Sequence, residues 1–257
     1  LYNEERHIES CLDSLLEQSY PQDKMEWILV DGGSEDRTLE LLEHYRKKYP
    51  QLIKILNNPE RIVPYAMNYG IEAATGDILI RLDAHASYAP DYIETCVEVL
   101  KETGADNVGG VMETKAKSPM GQRIADVLSS PFGVGNSKFR TSGEDGYVDT
   151  VPFGAYPRAL FAEIGGYDTR LVRNQDNELN YRIRANGGKI FLSNQIKLAY
   201  YCRDTLTGLT KQARLNGKWT ILTSKFVPGS MGLRHFVPLL FLLSLIVLPL
   251  LSILHPF

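Results

Sequence analysis

WILVDGGS, residues Trp27 to Ser34, carries the reading of the fold: a short apolar run closes on an acid, and two glycines and a serine follow. A buried strand ending in a polar, glycine-rich turn is the pattern of a parallel α/β sheet, whose carboxyl edge receives ligands. Outward from it, helical and strand patterns alternate. Upstream, Ile8, Leu12, Leu15 and Leu16 give a helical apolar face that ends before Tyr20-Pro21. Downstream come a helix over Thr38–Tyr49, stopped by Pro50, a strand over Leu52–Leu56, and a helix over Pro64–Thr75, begun by proline and ended by Gly76. A third strand over Asp77–Leu82 ends at Asp83, and a helix over Pro90–Glu102 and a strand over Asn107–Met112 follow.

The alternation then stops. Residues 113–150 are rich in Gly, Ser and Lys and read as a long loop. Beyond it the pattern predicts a strand near Tyr147–Val151, helices over Arg158–Ile164 and Glu178–Ala185, strands over Lys189–Leu192 and Lys197–Tyr201, and a helix over Thr207–Lys225. No internal repeat is present. The expected division is one catalytic domain over 1–225 and a membrane segment over 233–255. The chain opens on Leu1 and runs straight into a loop-like YNEE, which reads as a domain lacking its first strand.

The chain of 257 residues is 44% hydrophobic and 23% charged, an ordinary globular balance, and its net charge of −3 argues against a nucleic-acid partner. The charge is uneven. From Arg203 to Arg234 the only acid is Asp204, against Arg203, Lys211, Arg214, Lys218, Lys225 and Arg234. That basic stretch leads into Phe236–Leu254, an uncharged run that as a helix would span about 28 Å, close to the ~30 Å of a bilayer core. It reads as a C-terminal transmembrane helix, and by the positive-inside rule the basic flank keeps the preceding domain in the cytoplasm. Cys11, Cys96 and Cys202 are widely spaced, neither a disulfide framework nor a zinc site, and read as reduced thiols.

Two acids, Asp31 and Asp83, directly follow apolar strands and so belong to the same sheet edge. Beside Asp31, Gly32, Gly33 and Ser34 allow close backbone approach by a ligand, although an Asp there also reads as a helix N-cap. Asp83-Ala84-His85 offers two metal donors at i and i+2, which point the same way if the segment is extended. A carboxylate plus imidazole suits Mn2+ or Mg2+, and such a metal would neutralise diphosphate oxygens. Asp176, ahead of the helix at Glu178, reads either as its N-cap or as a general base for a sugar hydroxyl.

YNEE at 2–5, LVDGGSEDRT at 29–38, GDILIRLDAHA at 76–86, GAYPRALFAEIGGYD at 154–168 and NQDNELNYRIR at 174–184 resemble, in this order, the motifs of family 2 glycosyltransferases. The flavour is that of bacterial exopolysaccharide, succinoglycan-type enzymes. The resemblance implies a GT-A fold, Rossmann-like, with a mostly parallel central sheet flanked by helices. It implies an inverting transfer from a nucleotide-sugar, by family habit a UDP-sugar, to a lipid-linked or saccharide acceptor. Asp31, with Gly33 and Ser34, would hold the nucleotide, and Asp83 and His85 stand at the metal motif, with His in place of its second Asp. Asp176 would be the catalytic base, with Gln175 where the family has Glu, while Gly154, Ala155, Tyr156 and Arg158 would line the sugar and acceptor pocket. Trp219 could stack on a sugar or sit at a membrane interface.

Other classes fit less well. A sugar-1-phosphate nucleotidyltransferase needs a Gly-rich, basic N-terminal loop, and a dehydrogenase needs G-x-G-x-x-G after a strand; neither is present. A membrane-tethered, non-catalytic nucleotide-sugar-binding scaffold is the alternative that the His and Gln substitutions would favour.

Overall fold

The computed structural model describes residues 1–130, 134, 137–141 and 144–254. Part of the loop expected over 113–150 therefore lies outside the described residues, as does the last residue of the segment expected over 233–255.

The N-terminal half follows the alternation. Helix α1 (Ile8–Leu16) is followed by β1 (Trp27–Asp31), α2 (Thr38–Lys48), β2 (Ile53–Asn57), α3 (Val63–Ala73) and β3 (Ile78–Ile80). A short β4 (Ala86–Tyr88), α4 (Tyr92–Thr103) and β5 (Asn107–Lys115) come next. The remainder is α5 (Pro119–Leu128), β6 (Gly146–Tyr147), β7 (Ala155–Pro157), α6 (Arg158–Ile164), α7 (Gln175–Ala185), β8 (Ile190–Tyr201), α8 (Leu206–Phe226) and α9 (Val237–Leu254).

The long ladders are parallel: β1 on β2 over five register pairs and β5 on β8 over nine. The antiparallel pairings, β3–β7, β5–β7, β4–β8 and β6–β8, involve three register pairs or fewer. The strands form two sheets, β1–β2 and a larger one ordered β3-β7-β5-β8-β4 with β6 on β8. Between the facing edges of β1 and β3 lies a cavity of about 750 Å3, walled by both strands and by α1, α3 and α4. Glu26, just before β1, closes one end by accepting from the Thr75 hydroxyl and from the N–H groups of Thr75 and Gly76, just before β3. At the other end Leu1 donates its amino group to the Val30 carbonyl and accepts from Gly32 N–H, two bonds of a ladder along the free edge of β1. Strands β1 and β3 thus start together and finish together, which is what brings Asp31 and Asp83 to one edge.

Several expectations are corrected. Asp77–Leu82 is strand only over Ile78–Ile80, because Arg81 leaves the apolar layer to meet acids. Residues 113–150 hold a helix, α5, capped by Ser118, whose Oγ accepts from Gly121 N–H. The strand expected at 147–151 is the pair Gly146–Tyr147, and β7, with too few residues to show a period, was not anticipated. The two expected strands at 189–192 and 197–201 are one, β8, irregular where Gly110 pairs Ser193 and Val111 pairs Lys197. Glycine is required there, since a Cβ on Gly110 would collide with the Ile196 carbonyl.

Amphipathic faces close the main core: Ile8 and Leu12 of α1, Leu42 of α2, Tyr92 and Cys96 of α4, and Val108 of β5 are all essentially inaccessible. Each such side chain contributes roughly 1.5–3 kcal/mol by leaving water. All three cysteines are free and buried, as read from their spacing. Helix α9 differs: Leu240, Phe241, Leu245 and Leu248 are each more than half exposed. Among the described residues, no helix is long and apolar enough to cross a membrane.

Candidate active site

Asp31 ends β1 and is 4% exposed. One carboxylate oxygen accepts from Gly33 N–H (2.9 Å) and Ser34 N–H (3.0 Å), and the other from the Ser34 hydroxyl (2.6 Å). The acid therefore braces its own turn, in which Gly33 takes φ +73°. The expected N-cap of α2 is not its role. The YNEE segment docks on this turn: Asn3 N–H donates to Ser34 Oγ, Asn3 Oδ1 accepts from Glu35 N–H, and Glu4 N–H donates to Thr38 Oγ1.

Asp83 is held differently. Its backbone is pinned, with the N–H donating to Tyr88 Oη at 2.7 Å and the carbonyl accepting from Tyr88 Oη and Cys11 Sγ. Its carboxylate lies 3.5 Å from the Arg81 guanidinium and is 23% exposed. A pinned backbone carrying a partly exposed carboxylate is a good arrangement for an external ligand. Asp83-Ala84-His85 is a turn, not the extended segment expected, with Ala86 N–H bonded to the Asp83 carbonyl. His85 Nδ1 lies 3.7 Å from Glu4 Oε1, and its ring stands edge-on to Tyr200 at 5.4 Å. Glu4 raises the imidazole pKa against the opposing effect of burial.

Asp176 is the second residue of α7, which begins three residues earlier than expected. It does not cap the helix: the N-cap is Asn174, at φ +62°. The Asp176 carboxylate instead pairs with Arg81, whose side chain is only 9% exposed and also reaches Asp83. Burial raises the Asp176 pKa above its ordinary 3.8, and Asp83 adds to this while Arg81 opposes it. Helix α7 is a rigid platform. Glu178, 3% exposed, takes two 2.7 Å bonds from Arg182, which also donates to the carbonyls of Ile164, Gly165 and Gly166. Asn180 ties the helix to Asn107, Thr150 and Val151.

Three of the sequence-predicted residues thus converge: Asp83 and Asp176 on Arg81, with His85 beside Asp83. Of the acceptor candidates, Gly154 and Tyr156 lie beside this group, Tyr156 lining the cavity between β1 and β3 together with Arg81 and Asp83, whereas Arg158 does not. Gly154 accepts Arg81 N–H at its carbonyl and borders the pair. Ala155 and Tyr156, at 0% and 3% exposure, belong to the core, where Tyr156 packs edge-on against Phe161. Antiparallel pairing sets Pro157 opposite Ile78, so Arg158 lies exposed at the far end of β3, bonded through its N–H to the Asp77 carbonyl. Trp219 sits half-buried on α8. Arg81 and Glu4 were overlooked, although an arginine inside the run ILIRL was a readable signal, since a cation in an apolar strand needs a buried counter-charge.

No group of three or more His, Cys, Asp or Glu among the described residues is arranged to hold a metal. Asp83 and His85 nonetheless suit a cation that takes its remaining ligands from a diphosphate, because Mg2+-type sites use one or two protein ligands plus substrate phosphates.

Residues 1–165 match Glycosyl transferase family 2. The succinoglycan biosynthesis protein ExoA of Rhizobium meliloti is 33% identical over 242 residues, 92% of this chain and 72% of that protein. A dolichyl N-acetyl-α-D-glucosaminyl phosphate 3-β-D-2,3-diacetamido-2,3-dideoxy-β-D-glucuronosyltransferase of Methanococcus voltae is 32% identical over 82% of this chain and 68% of its own. Among solved structures, the mannosyltransferase PcManGT of Pyrobaculum calidifontis, in complex with GDP-Man and Mn2+, superposes with a TM-score of 0.67 at 22% identity, over 94% of this chain and 66% of that one. S. aureus TarS 1-349 in complex with UDP gives a TM-score of 0.56 at 18% identity, over 86% of this chain and 63% of that one. These likenesses support a GT-A-like α/β fold, and with more than half its length matched, the chain belongs to glycosyl transferase family 2.

Proposed function

We propose that the chain is an inverting glycosyltransferase that moves a sugar from a nucleotide-sugar, by family habit a UDP-sugar, to a lipid-linked or saccharide acceptor in cell-surface polysaccharide synthesis. The observation that carries the reading is the meeting of Asp83 and Asp176 on Arg81 at the carboxyl edge of the sheet. Asp176 takes the proton of an acceptor hydroxyl, and that oxygen attacks the anomeric carbon opposite the diphosphate. The bond from that carbon to the diphosphate oxygen breaks, and the nucleoside diphosphate leaves with the electron pair. Asp83 and His85 would hold the Mn2+ or Mg2+, which supplies positive charge to the diphosphate. The DGGS turn, through Gly33 and Ser34 on Asp31, would receive the nucleotide.

Membrane attachment is part of the proposal. Helix α9 directs large apolar side chains outward just after the basic stretch, which supports attachment to a bilayer surface although no helix of the described residues is long and apolar enough to cross one. Its flanking positive charge would keep the catalytic domain on the cytoplasmic face of the inner membrane.

The test is release of nucleoside diphosphate from a panel of nucleotide-sugars, with Mn2+, Mg2+ or EDTA, on an extract containing lipid-linked acceptors. Metal-dependent turnover of one donor, abolished by Asp83→Ala and Asp176→Asn, supports the reading. Donor binding without turnover of any sugar would favour the non-catalytic scaffold.

A further inference from the structure

A second cavity, about 330 Å3, opens between α5, the turn at 137–141, the end of β8 and α8. Leu209, Gln212, Ala213 and Asn216 of α8 line it at the spacing of one helical face, and Arg140 is the one charged residue among its described lining. The position of Arg140 is built: the neighbouring Phe139 carbonyl accepts from Met112 N–H of β5, and Arg140 N–H bonds the Ser137 carbonyl. Its guanidinium touches the Thr114 hydroxyl at 3.5 Å and stacks 5.6 Å over Phe139. No carboxylate of the described residues lies within ion-pair distance of it. A partly buried cation that meets no counter-charge among the described residues, in a cavity whose described walls are otherwise uncharged, has the chemistry of an anion site.

The cavity adjoins both halves of the active site. Tyr200, in its wall, is the ring against which His85 stands. Asn216, also in its lining, accepts from Arg173 at 3.1 Å, three residues before Asp176. Its volume is at the small end of ligand pockets, which run to roughly 300–1,000 Å3, so it suits a head group and not a long hydrocarbon chain. Helix α8 leads from the cavity toward the exposed apolar surface of α9.

We propose that this cavity seats the phosphate or diphosphate of a lipid-linked acceptor, with Arg140 as its counter-ion, Gln212 and Asn216 as neutral donors, and the lipid running toward α9. The inference rests on the transferase reading and gives its acceptor a site distinct from the donor's.

The test uses the full chain in detergent micelles. Binding of a polyprenyl phosphate, of the same polyprenol without phosphate and of inorganic pyrophosphate is measured for wild type, Arg140→Gln, Arg140→Lys and Ala213→Phe, with nucleoside diphosphate binding and thermal unfolding followed in parallel. Wild type should hold the polyprenyl phosphate well above the polyprenol. Arg140→Gln should lose about ten- to hundredfold of that affinity, the range for a bond to a charged group. Arg140→Lys should recover part of it, and Ala213→Phe, which fills the cavity, should lose it, with nucleotide binding and unfolding temperature unchanged. Pyrophosphate bound as tightly as the polyprenyl phosphate would assign the site to free phosphate and overturn the lipid-linked proposal. Equal affinity of wild type and Arg140→Gln, or loss of nucleotide binding in Arg140→Gln, would overturn it as well. Donor turnover in wild type with no phosphate discrimination sinks this inference alone, whereas absence of both donor binding and donor turnover sinks the transferase reading.

Discussion

Arg81 and Asp176, 95 residues apart in sequence, form an ion pair, and the same guanidinium lies 3.5 Å from the carboxylate of Asp83. The guanidinium is almost wholly enclosed, whereas Asp176 keeps a third of its side chain exposed. One buried cation thus joins the segment after β3, which carries Asp83, to helix α7, which carries Asp176. Truncating one partner of such a pair leaves the other uncompensated, which costs far more than the pair contributes.

Asp176→Asn should lower kcat by about 10²–10⁴, the usual contribution of a general base, with nucleotide binding retained. Single-turnover kinetics on one donor, alongside nucleotide titration, checks this. A variant that keeps wild-type kcat would remove Asp176 from the chemistry.

Arg81→Met should destabilise the fold by roughly 3–5 kcal/mol if the acids stay charged, and less if Asp176 takes up a proton. Arg81→Lys should recover part of the stability but less of the activity, since an ammonium cannot span two carboxylates as a planar fork does. Urea unfolding of the two variants beside their kcat values separates the effects.

The pH dependence has a definite sign. Burial raises the Asp176 pKa above 3.8, and a base works deprotonated, so activity should rise with pH on a limb displaced upward from that of an ordinary aspartate. Arg81 opposes that shift, so in Arg81→Met the limb should move further up. A limb that stays in place would mean another group titrates.

Glu26 makes a prediction about stability. Burial works against its charge, but Lys54, Thr75 and Gly76 outweigh it and hold the pKa at about 2, against an ordinary 4.5. A depressed carboxylate pKa contributes stability that is complete above the unfolded value and lost as pH falls through the folded one. Acid unfolding should therefore show a component between pH 4.5 and about 2 that is absent in Glu26→Gln. At neutral pH that variant should be less stable by about 1–3 kcal/mol, the range for bonds to a charged group.

Removal of residues 237–257 should shift the protein from the membrane fraction to the supernatant. Retention in the pellet would place the anchor elsewhere on the surface.

Much of the fold was legible because the first half repeats strong local signals: apolar runs closed by Asp31 and Asp83, and helices punctuated by Pro50, Pro64 and Gly76. Strand β7 and helix α5 escaped for opposite reasons, three residues being too few for a period and a Gly- and Lys-rich neighbourhood masking a helix. At the site, residue type alone could not separate Asp31, whose oxygens its own turn consumes, from Asp83, whose carboxylate turns to Arg81 instead. Nor could it show that Ala155 and Tyr156 are buried while register carries Arg158 to the end of β3 away from Asp83.

By itself the sequence determined the family, the α/β class, the edge on which the acids gather and the uncharged C-terminal run, because each is written in contiguous residues and their spacing. The tertiary structure alone decided which acids spend their carboxylate on their own turn, that Arg81 joins Asp83 to Asp176, and that Arg140 meets no carboxylate among the described residues. Charges meet or fail to meet through space, over distances that chain separation does not encode, and only the packing of β3, α7 and the turn at 137–141 sets those distances.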